Sequence, residues 1–318
     1  MDVQSVKPSI GKSIADVSKE TISYINARRN HEIISLKTRW NKFNNTCFIE
    51  PNMIYTIAGT SGTGKSAFVN TITNDLIDLN PTQDIVILNL SFEMLSYRNV
   101  GRLLSNKLKM TTNELYSANN DISDETFQQI KQTVNALSNK QIYYVDTPMN
   151  VEKIEETINY YKENIATNNK WLIVVLDHTL LVEGEGSERS ILVDLQKMFI
   201  RVKKLKKTSI IQISQMNRNI ETPERINNPV THFPMRSDLS ASDAIFQASD
   251  YVMALHRPEI LNLAFYGINR LPVKNKIYLH LLKVREGEPC IIPFENELKY
   301  GNLIEINIEA PQKVVFNN

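Results

Sequence analysis

A doubly wound α/β fold, with a mostly parallel sheet and an antiparallel C-terminal extension, is predicted by three observations. Short, near-continuous apolar runs at 53–58, 85–90, 172–176 and 209–214 alternate with longer stretches of helical period, the pattern of a parallel sheet covered on both faces by helices. A glycine-rich loop joins the first strand to the first long helix. After residue 250, strands follow one another without long helices between them, as hairpins at a sheet edge do.

Residues 1–13 are polar. Ile14, Val17, Ile22 and Ile25 then mark one face of a short helix that turns basic at Arg28 and Arg29, and a mixed stretch runs to Pro51. A single short helix cannot bury its own apolar stripe, so this one must dock on the body or on a neighbouring subunit. Strand 53–58 is followed by a helix at 65–79 that stops before Pro81, and strand 85–90 is broken only by Asn89. Helical patterns occupy 96–108, 123–138, 151–166 and 187–207, separated by short strands at 142–145, 172–176 and 209–214. Strands are then expected at 251–255, 276–283, 290–294 and 303–308. The simplest partition is an N-terminal arm over 1–50 and one α/β domain over 51–318.

Composition removes several function classes. An apolar share of 42% is too high for a disordered chain. The longest uninterrupted apolar run, 171–176, is far short of the ~18 residues of a membrane span, and the N-terminus carries no signal-peptide core. Cys47 and Cys290 stand alone and the five histidines are scattered, so no zinc site is legible and a reducing, cytoplasmic setting is expected. A net charge of +1 argues against a tail-driven nucleic-acid binder and leaves room for a local basic channel.

The chain is sparing with glycine: ten in 318 residues, near 3% against a usual ~7%. Three of them fall within six residues, in Gly59-Thr60-Ser61-Gly62-Thr63-Gly64-Lys65-Ser66. This matches G-x-x-x-x-G-K-[ST] in full, after a strand and before a helix. In such a loop successive backbone N–H groups face an anion, Lys65 reaches the β/γ-phosphates, and Ser66 ligates Mg²⁺. ATP and Mg²⁺ are therefore expected.

Hydrolysis also needs a metal-side carboxylate and a group that orients water. Asp177 closes the apolar strand before it, where such a carboxylate belongs at the C-terminal rim of the sheet. Glu93 lies just past strand 85–90 and either faces the γ-phosphate or simply opens the next helix. Gln215 ends strand 209–214, where an amide can sense the γ-phosphate. Lys283 and Arg285, two apart, put both cations on one side of a projecting strand. They suit an arginine finger acting on an adjacent subunit's phosphate, or an edge pair guarding against aggregation.

Taken in order, these segments resemble the ATPase domain of the DnaB-family replicative helicases, a branch of the RecA-like P-loop fold. The resemblance is carried by the P-loop with Ala67-Phe68, Leu90-Ser91-Phe92-Glu93-Met94 with Arg102-Leu103-Leu104, and Asp146-Thr147-Pro148. It continues in 173–177, 213–218, Pro234-Met235-Arg236-Ser237-Asp238-Leu239, Ala248-Ser249-Asp250 and Lys283-Val284-Arg285-Glu286-Gly287. It covers roughly residues 20–308. It implies a hexameric ring that hydrolyses ATP between subunits, translocates 5′ to 3′ on single-stranded DNA, and meets primase or a helicase loader, in a bacterial cell or a phage-infected host. By position it makes Glu93 the catalytic base, Asp177 the Walker-B acid, Gln215 the γ-phosphate sensor, and Lys283 and Arg285 the pair acting in trans. The segment 21–36 is similar to the family's linker helix, which packs on the next subunit.

Three departures qualify these expectations. Few residues precede the linker-like helix, where the family carries a separate N-terminal domain, so weaker primase contact and ring stability are expected. The family's DNA-facing loop reads Arg-Glu-Ser-Gly, and here Ser240-Ala241-Ser242-Asp243 replaces it. Arg218, Arg225 and Arg236, on the long 216–241 segment, are then the candidate DNA-binding cations. His178 stands where the family often has tyrosine. The alternative reading is a RecA-like ATPase that acts as a nucleotide-gated binding or assembly protein without unwinding.

Overall fold

The computed structural model describes residues 11–116, 118–119, 121–239 and 242–308. It divides into two compact units, Met1–Ser35 and Leu36–Asn318. The first contains helix α1 (Ile14–Arg29), whose N-cap Ser13 accepts the amide of Asp16 and whose last turn carries Arg28 and Arg29, each charge placed to favour the helix dipole.

In the second unit the elements run α2 (Asn41–Thr46), β1 (Ile54–Gly59), α3 (Lys65–Asp78), β2 (Ile85–Ser91), α4 (Ser96–Leu108), α5 (Thr112–Tyr116) and α6 (Asp124–Ser138). Then come β3 (Ile142–Val145), α7 (Val151–Asn164), β4 (Trp171–Asp177), α8 (Glu188–Val202), β5 (Thr208–Gln215), α9 (Pro223–Ile226) and α10 (Ser242–Ala248). The chain closes with β6 (Tyr251–His256), β7 (Lys276–Val284), β8 (Cys290–Glu297) and β9 (Asn302–Glu305). One sheet has the order β3-β2-β4-β5-β1-β6-β7-β8-β9. It is parallel from β3 to β6, and antiparallel from β6 to β9. The predicted doubly wound sheet with an antiparallel extension is the fold found.

The uninterrupted apolar strands are explained by alternation between two cores. On β4, Trp171, Ile173 and Val175 enter the core that contains α3, while Leu172, Val174 and Leu176 enter the core formed with α7 and α8. Both faces of a strand are thus buried, and no polar position is left to show a period of two.

Residues 36–50, grouped by sequence with the N-terminal arm, pack inside the body. Trp40 stacks on Phe68 of α3 with ring centroids 4.7 Å apart, and its indole N–H donates to Leu303 O at 3.0 Å. Arg39 spans both oxygens of Asp75 on α3, with Nη2 donating to Oδ1 and Nε to Oδ2. The helix expected over 187–207 is shorter: α8 ends at Val202. Beyond it Lys203, Lys204, Lys206 and Lys207 bring like charges close together, which does not favour helix.

Two register pairs position the functional rim. Gly59 at the end of β1 pairs with Gln215 at the end of β5, and Ser91 at the end of β2 pairs with Asp177 at the end of β4. Four strand ends therefore converge at the carboxyl edge of the parallel sheet, where open α/β sheets bind ligands.

Candidate functional site

Between Gly59 and Lys65 the chain must turn from strand into helix. Gly62 and Gly64 do so with φ of +77° and +96°, a region costly to an L side chain. At Gly64 a Cβ would also lie 2.6 Å from Leu298 Cδ2. At Gly59 the constraint is space alone, since a Cβ would lie 2.6 Å from both Leu255 O and Thr63 Oγ1. Thr60, Ser61, Gly62 and Thr63 form the arch, and Thr63 Oγ1 donates to Thr60 O at 2.9 Å.

Lys65 opens α3 and folds back under this arch, donating from Nζ to Gly59 O and Thr60 O at 2.9 Å each. Burial pushes its ammonium below the ordinary value, and the Asp177 and Glu93 carboxylates pull it back. An anion here would meet a desolvated cation and the first amides of α3, which have no intrahelical acceptor.

Asp177 is 7% exposed at the end of β4. Burial pushes its carboxyl above the usual range, a hydrogen bond with Ser66 works against that, and Glu93 adds to it. Its Oδ1 is buried and finds no hydrogen-bond partner among the described residues. A paired hydroxyl and carboxylate with one unsatisfied oxygen are hard-oxygen donors of the kind Mg²⁺ prefers, so Ser66 and Asp177 fit that ion.

Glu93 is held at the same rim by backbone: the amides of Phe92 and Glu93 donate to Asp177 O at 2.8 and 3.3 Å. Its side chain is half exposed and its Oε2 lies 3.9 Å from His178 Nε2. Burial pushes the His178 imidazole below its ordinary value, against the pull of the Glu93 and Asp177 carboxylates, so the ring is neutral at neutral pH. Gln215 completes the rim beside Gly59. A cavity of about 310 Å³ is lined by Gly64, Lys65, Ser66, Glu93 and Gln215.

The same cavity is lined by residues that sequence reasoning did not single out as site residues: Arg102 of α4, and Leu298, Lys299 and Gly301 in the β8–β9 connection. Arg102 also helps hold the Asp177 carboxyl down. Nothing in its local sequence separates it from a solvated arginine. The β8–β9 connection, packed on α4, closes the cavity on this side.

Lys283 and Arg285 lie elsewhere. Tyr251, at the start of β6, pairs with both Tyr55 and Val284. The end of β7 therefore sits at the amino edge of the parallel strands, one strand length from the cradle, roughly 16 Å at ~3.3 Å per residue. There Arg285 Nε lies 2.6 Å from Asp250 Oδ1, and Lys283 Nζ donates to Phe246 O at 2.6 Å.

The three candidate DNA-binding arginines differ from one another. Arg218 is exposed. Arg225 is turned inward: it bonds Asp238 Oδ1 at 2.6 Å, a carboxylate 1% exposed, and the carbonyl of Phe233. Arg236 is half exposed, lies 2.7 Å from Asp243 Oδ1, and rests over the Phe246 ring at 4.6 Å. Within the altered loop, Ser240 and Ala241 lie outside the described residues. No helix among the described residues is long and apolar enough to cross a membrane.

Known proteins match this arrangement. Residues 20–302 match the family model of the DnaB-like helicase C-terminal domain. The chain is 26% identical over 237 residues to the replicative DNA helicase DnaB of Buchnera aphidicola subsp. Baizongia pistaciae (strain Bp), covering 72% of this chain and 48% of that protein. It is 24% identical over 311 residues to a probable replicative DNA helicase of Guillardia theta, covering 96% and 48%. The chain thus spans about half the length of these curated relatives. Among solved structures, one described as an ATPase domain superposes with a TM-score of 0.78 at 19% identity, covering 94% of this chain and all of that one. A DnaB-like replicative helicase, described with its interactions with primase, superposes with a TM-score of 0.75 at 18% identity, covering 95% and 69%. These likenesses carry the RecA-like fold, and the relatives' names do not favour an assembly protein without unwinding. With the family model spanning most of its length, the chain belongs to the DnaB-like helicase C-terminal domain family.

Proposed function

We propose that this chain is the motor of an ATP-driven replicative DNA helicase, working as a hexameric ring that hydrolyses ATP between subunits and moves 5′ to 3′ on single-stranded DNA. One observation carries the reading. The phosphate cradle with Lys65, Ser66, Glu93, Asp177 and Gln215 gathers at the carboxyl edge of the sheet, while Lys283 and Arg285 stand at the amino edge. The cation pair cannot serve its own cradle, so a complete site requires a second copy.

Within that site Lys65 and the α3 amides bind the β/γ-phosphates, and Ser66 and Asp177 would hold Mg²⁺. When bound, the ion neutralises phosphate charge and polarises the reacting group. Glu93 accepts the proton of the attacking water at its carboxylate, 3.9 Å from His178 Nε2. Arg285 and Lys283 of the preceding subunit stabilise the charge that develops on the γ-phosphate. Gln215 hydrogen-bonds that phosphate, and its release is passed into the segment that follows. The route is short: Met216 bridges to Leu239, and the Asn217 amide donates to Asp238 O at 2.7 Å.

Arg218 and Arg236 contact DNA phosphates in this reading, and Arg225 braces the segment that carries them. The α1 face with Ile22 and Ile25, 60% and 52% exposed, docks on the neighbouring subunit. Primase or a helicase loader is the further partner, in the cytoplasm of a bacterial or phage-infected cell.

Unwinding of forked duplexes with either a 5′ or a 3′ tail tests the proposal. Strand separation with ATP and Mg²⁺ on the 5′-tailed fork is expected. ATP turnover with no separation on either fork would refute it.

A further inference from the structure

The short helix α10 joins the two groups of cations that the proposed function keeps apart. At its first turn Asp243 pairs with Arg236 at 2.7 Å. At its last turn the helix is cut short, because the Asp250 amide donates to Ile54 O at 2.9 Å and leaves the Phe246 carbonyl without its i+4 donor. Lys283 Nζ takes that place, donating to Phe246 O at 2.6 Å. The Phe246 ring lies under both cations, with the Arg236 guanidinium 4.6 Å and the Lys283 ammonium 5.3 Å from its centroid. Asp250, two residues beyond the helix, then holds Arg285.

A ring can attract two cations only while each stays near its face. If a nucleic-acid phosphate draws Arg236 away from Asp243 and from the ring, Phe246 is released to Lys283 alone. We propose that Phe246 is a positioning residue that ties Arg236 to Lys283, so that DNA phosphate bound at Arg236 resets the cation pair serving the neighbour's ATP. The inference rests on the proposed function, which supplies the roles of Arg236 and Lys283. It adds a physical link between them that runs through one side chain.

The test compares Phe246→Leu with Phe246→Tyr in the full chain. Leucine keeps an apolar side chain packed on the cluster of Ile245 and Val252 but has no π face; tyrosine keeps the face. Four quantities are measured: ATP turnover without DNA, KM for ATP, turnover with saturating oligo-dT, and oligo-dT affinity without nucleotide. For Phe246→Leu the ratio of stimulated to basal turnover is expected to fall about two- to fivefold, the scale of a lost half-exposed cation–π contact. Basal turnover and KM for ATP stay near wild type, and Phe246→Tyr restores the ratio. A purely structural defect would lower basal turnover as well, and that result overturns the proposal. So does a Phe246→Leu ratio equal to wild type. Wild-type protein whose turnover ignores oligo-dT would instead overturn the helicase reading itself.

Discussion

Arg285 Nε lies 2.6 Å from Asp250 Oδ1, and the same buried carboxylate takes the amide of Ile54 and the ammonium of Lys203, both at 2.8 Å. A charge this deeply buried is tolerated because three donors from three elements surround it. Arg285 is therefore anchored to the start of β1 and β6 while half its side chain faces out.

In the proposed function Arg285 acts on another subunit's nucleotide, because it lies at the edge opposite its own cradle. Arg285→Ala should lower ATP turnover on the order of a thousandfold, the scale of a lost arginine finger, and Lys65→Ala should abolish it. Mixing the two dead variants should recover activity, since some interfaces then pair an intact cradle with an intact Arg285. Steady-state ATPase of mixed rings reads this out, and a mixture as inactive as its parts would count against action in trans.

In the proposed function Asp243 and DNA phosphate compete for Arg236. Asp243→Gly removes the carboxylate 2.7 Å from the guanidinium and frees a cation for a phosphate. Binding of labelled oligo-dT should tighten, and its salt dependence should steepen by up to one counterion. Fluorescence anisotropy across a salt series measures both. An unchanged slope would mean that Arg236 makes no phosphate contact.

Acid sensitivity should come from a buried histidine cluster that includes His232 of the 216–241 segment. His232, His256 and His280 are 0%, 2% and 4% exposed, and His280 Nε2 sits 2.6 Å from Tyr266 Oη. Burial lowers all three below their ordinary 6.5, His280 to about 3. The unfolded chain thus takes up protons near 6.5 while the fold refuses them, so stability is full above that pH and lost as pH falls toward the folded values. Each histidine contributes a slope of about 1.4 kcal/mol per pH unit in that window. Urea unfolding between pH 7 and 4 should show the decline, and His280→Gln should make it shallower.

Trp40 should matter to the body as a core residue does. It is 1% exposed, stacked on Phe68, and packed edge-on against Phe43 and Phe294. Trp40→Ala is expected to cost about 3–5 kcal/mol. Chemical denaturation measures it, and a loss below about 1 kcal/mol would show that residues 36–49 contribute little to the core.

The legible parts of this protein were those governed by local pattern. Each central strand was visible because burial on both faces leaves an unbroken apolar run, as in Trp171 to Leu176. The short elements are not: α2, α5 and α10 are too brief to establish a helical period, and only the first two residues of α10 fall within the altered loop. Glu93 and Gln215 could be placed at strand ends from spacing, yet their meeting at one cavity depends on the strand order β2-β4-β5-β1. In the sequence Arg225 is indistinguishable from Arg218 and Arg236 on the same long segment. Asp238, 13 residues away and buried, makes it a brace.

By itself the sequence determined the phosphate cradle and the parallel sheet that presents it, because a glycine turn and a strand's apolar run act through neighbours along the chain. Tertiary structure alone decided which cations are committed inward and which face out. It also decided that the cation pair lies at the edge opposite the cradle. Those outcomes depend on which carboxylate, ring or carbonyl the fold brings to a given side chain: Arg285 meets Asp250 and Lys283 meets Phe246 through the pairing of β6 with β7, and Arg236 meets Asp243 where α10 begins.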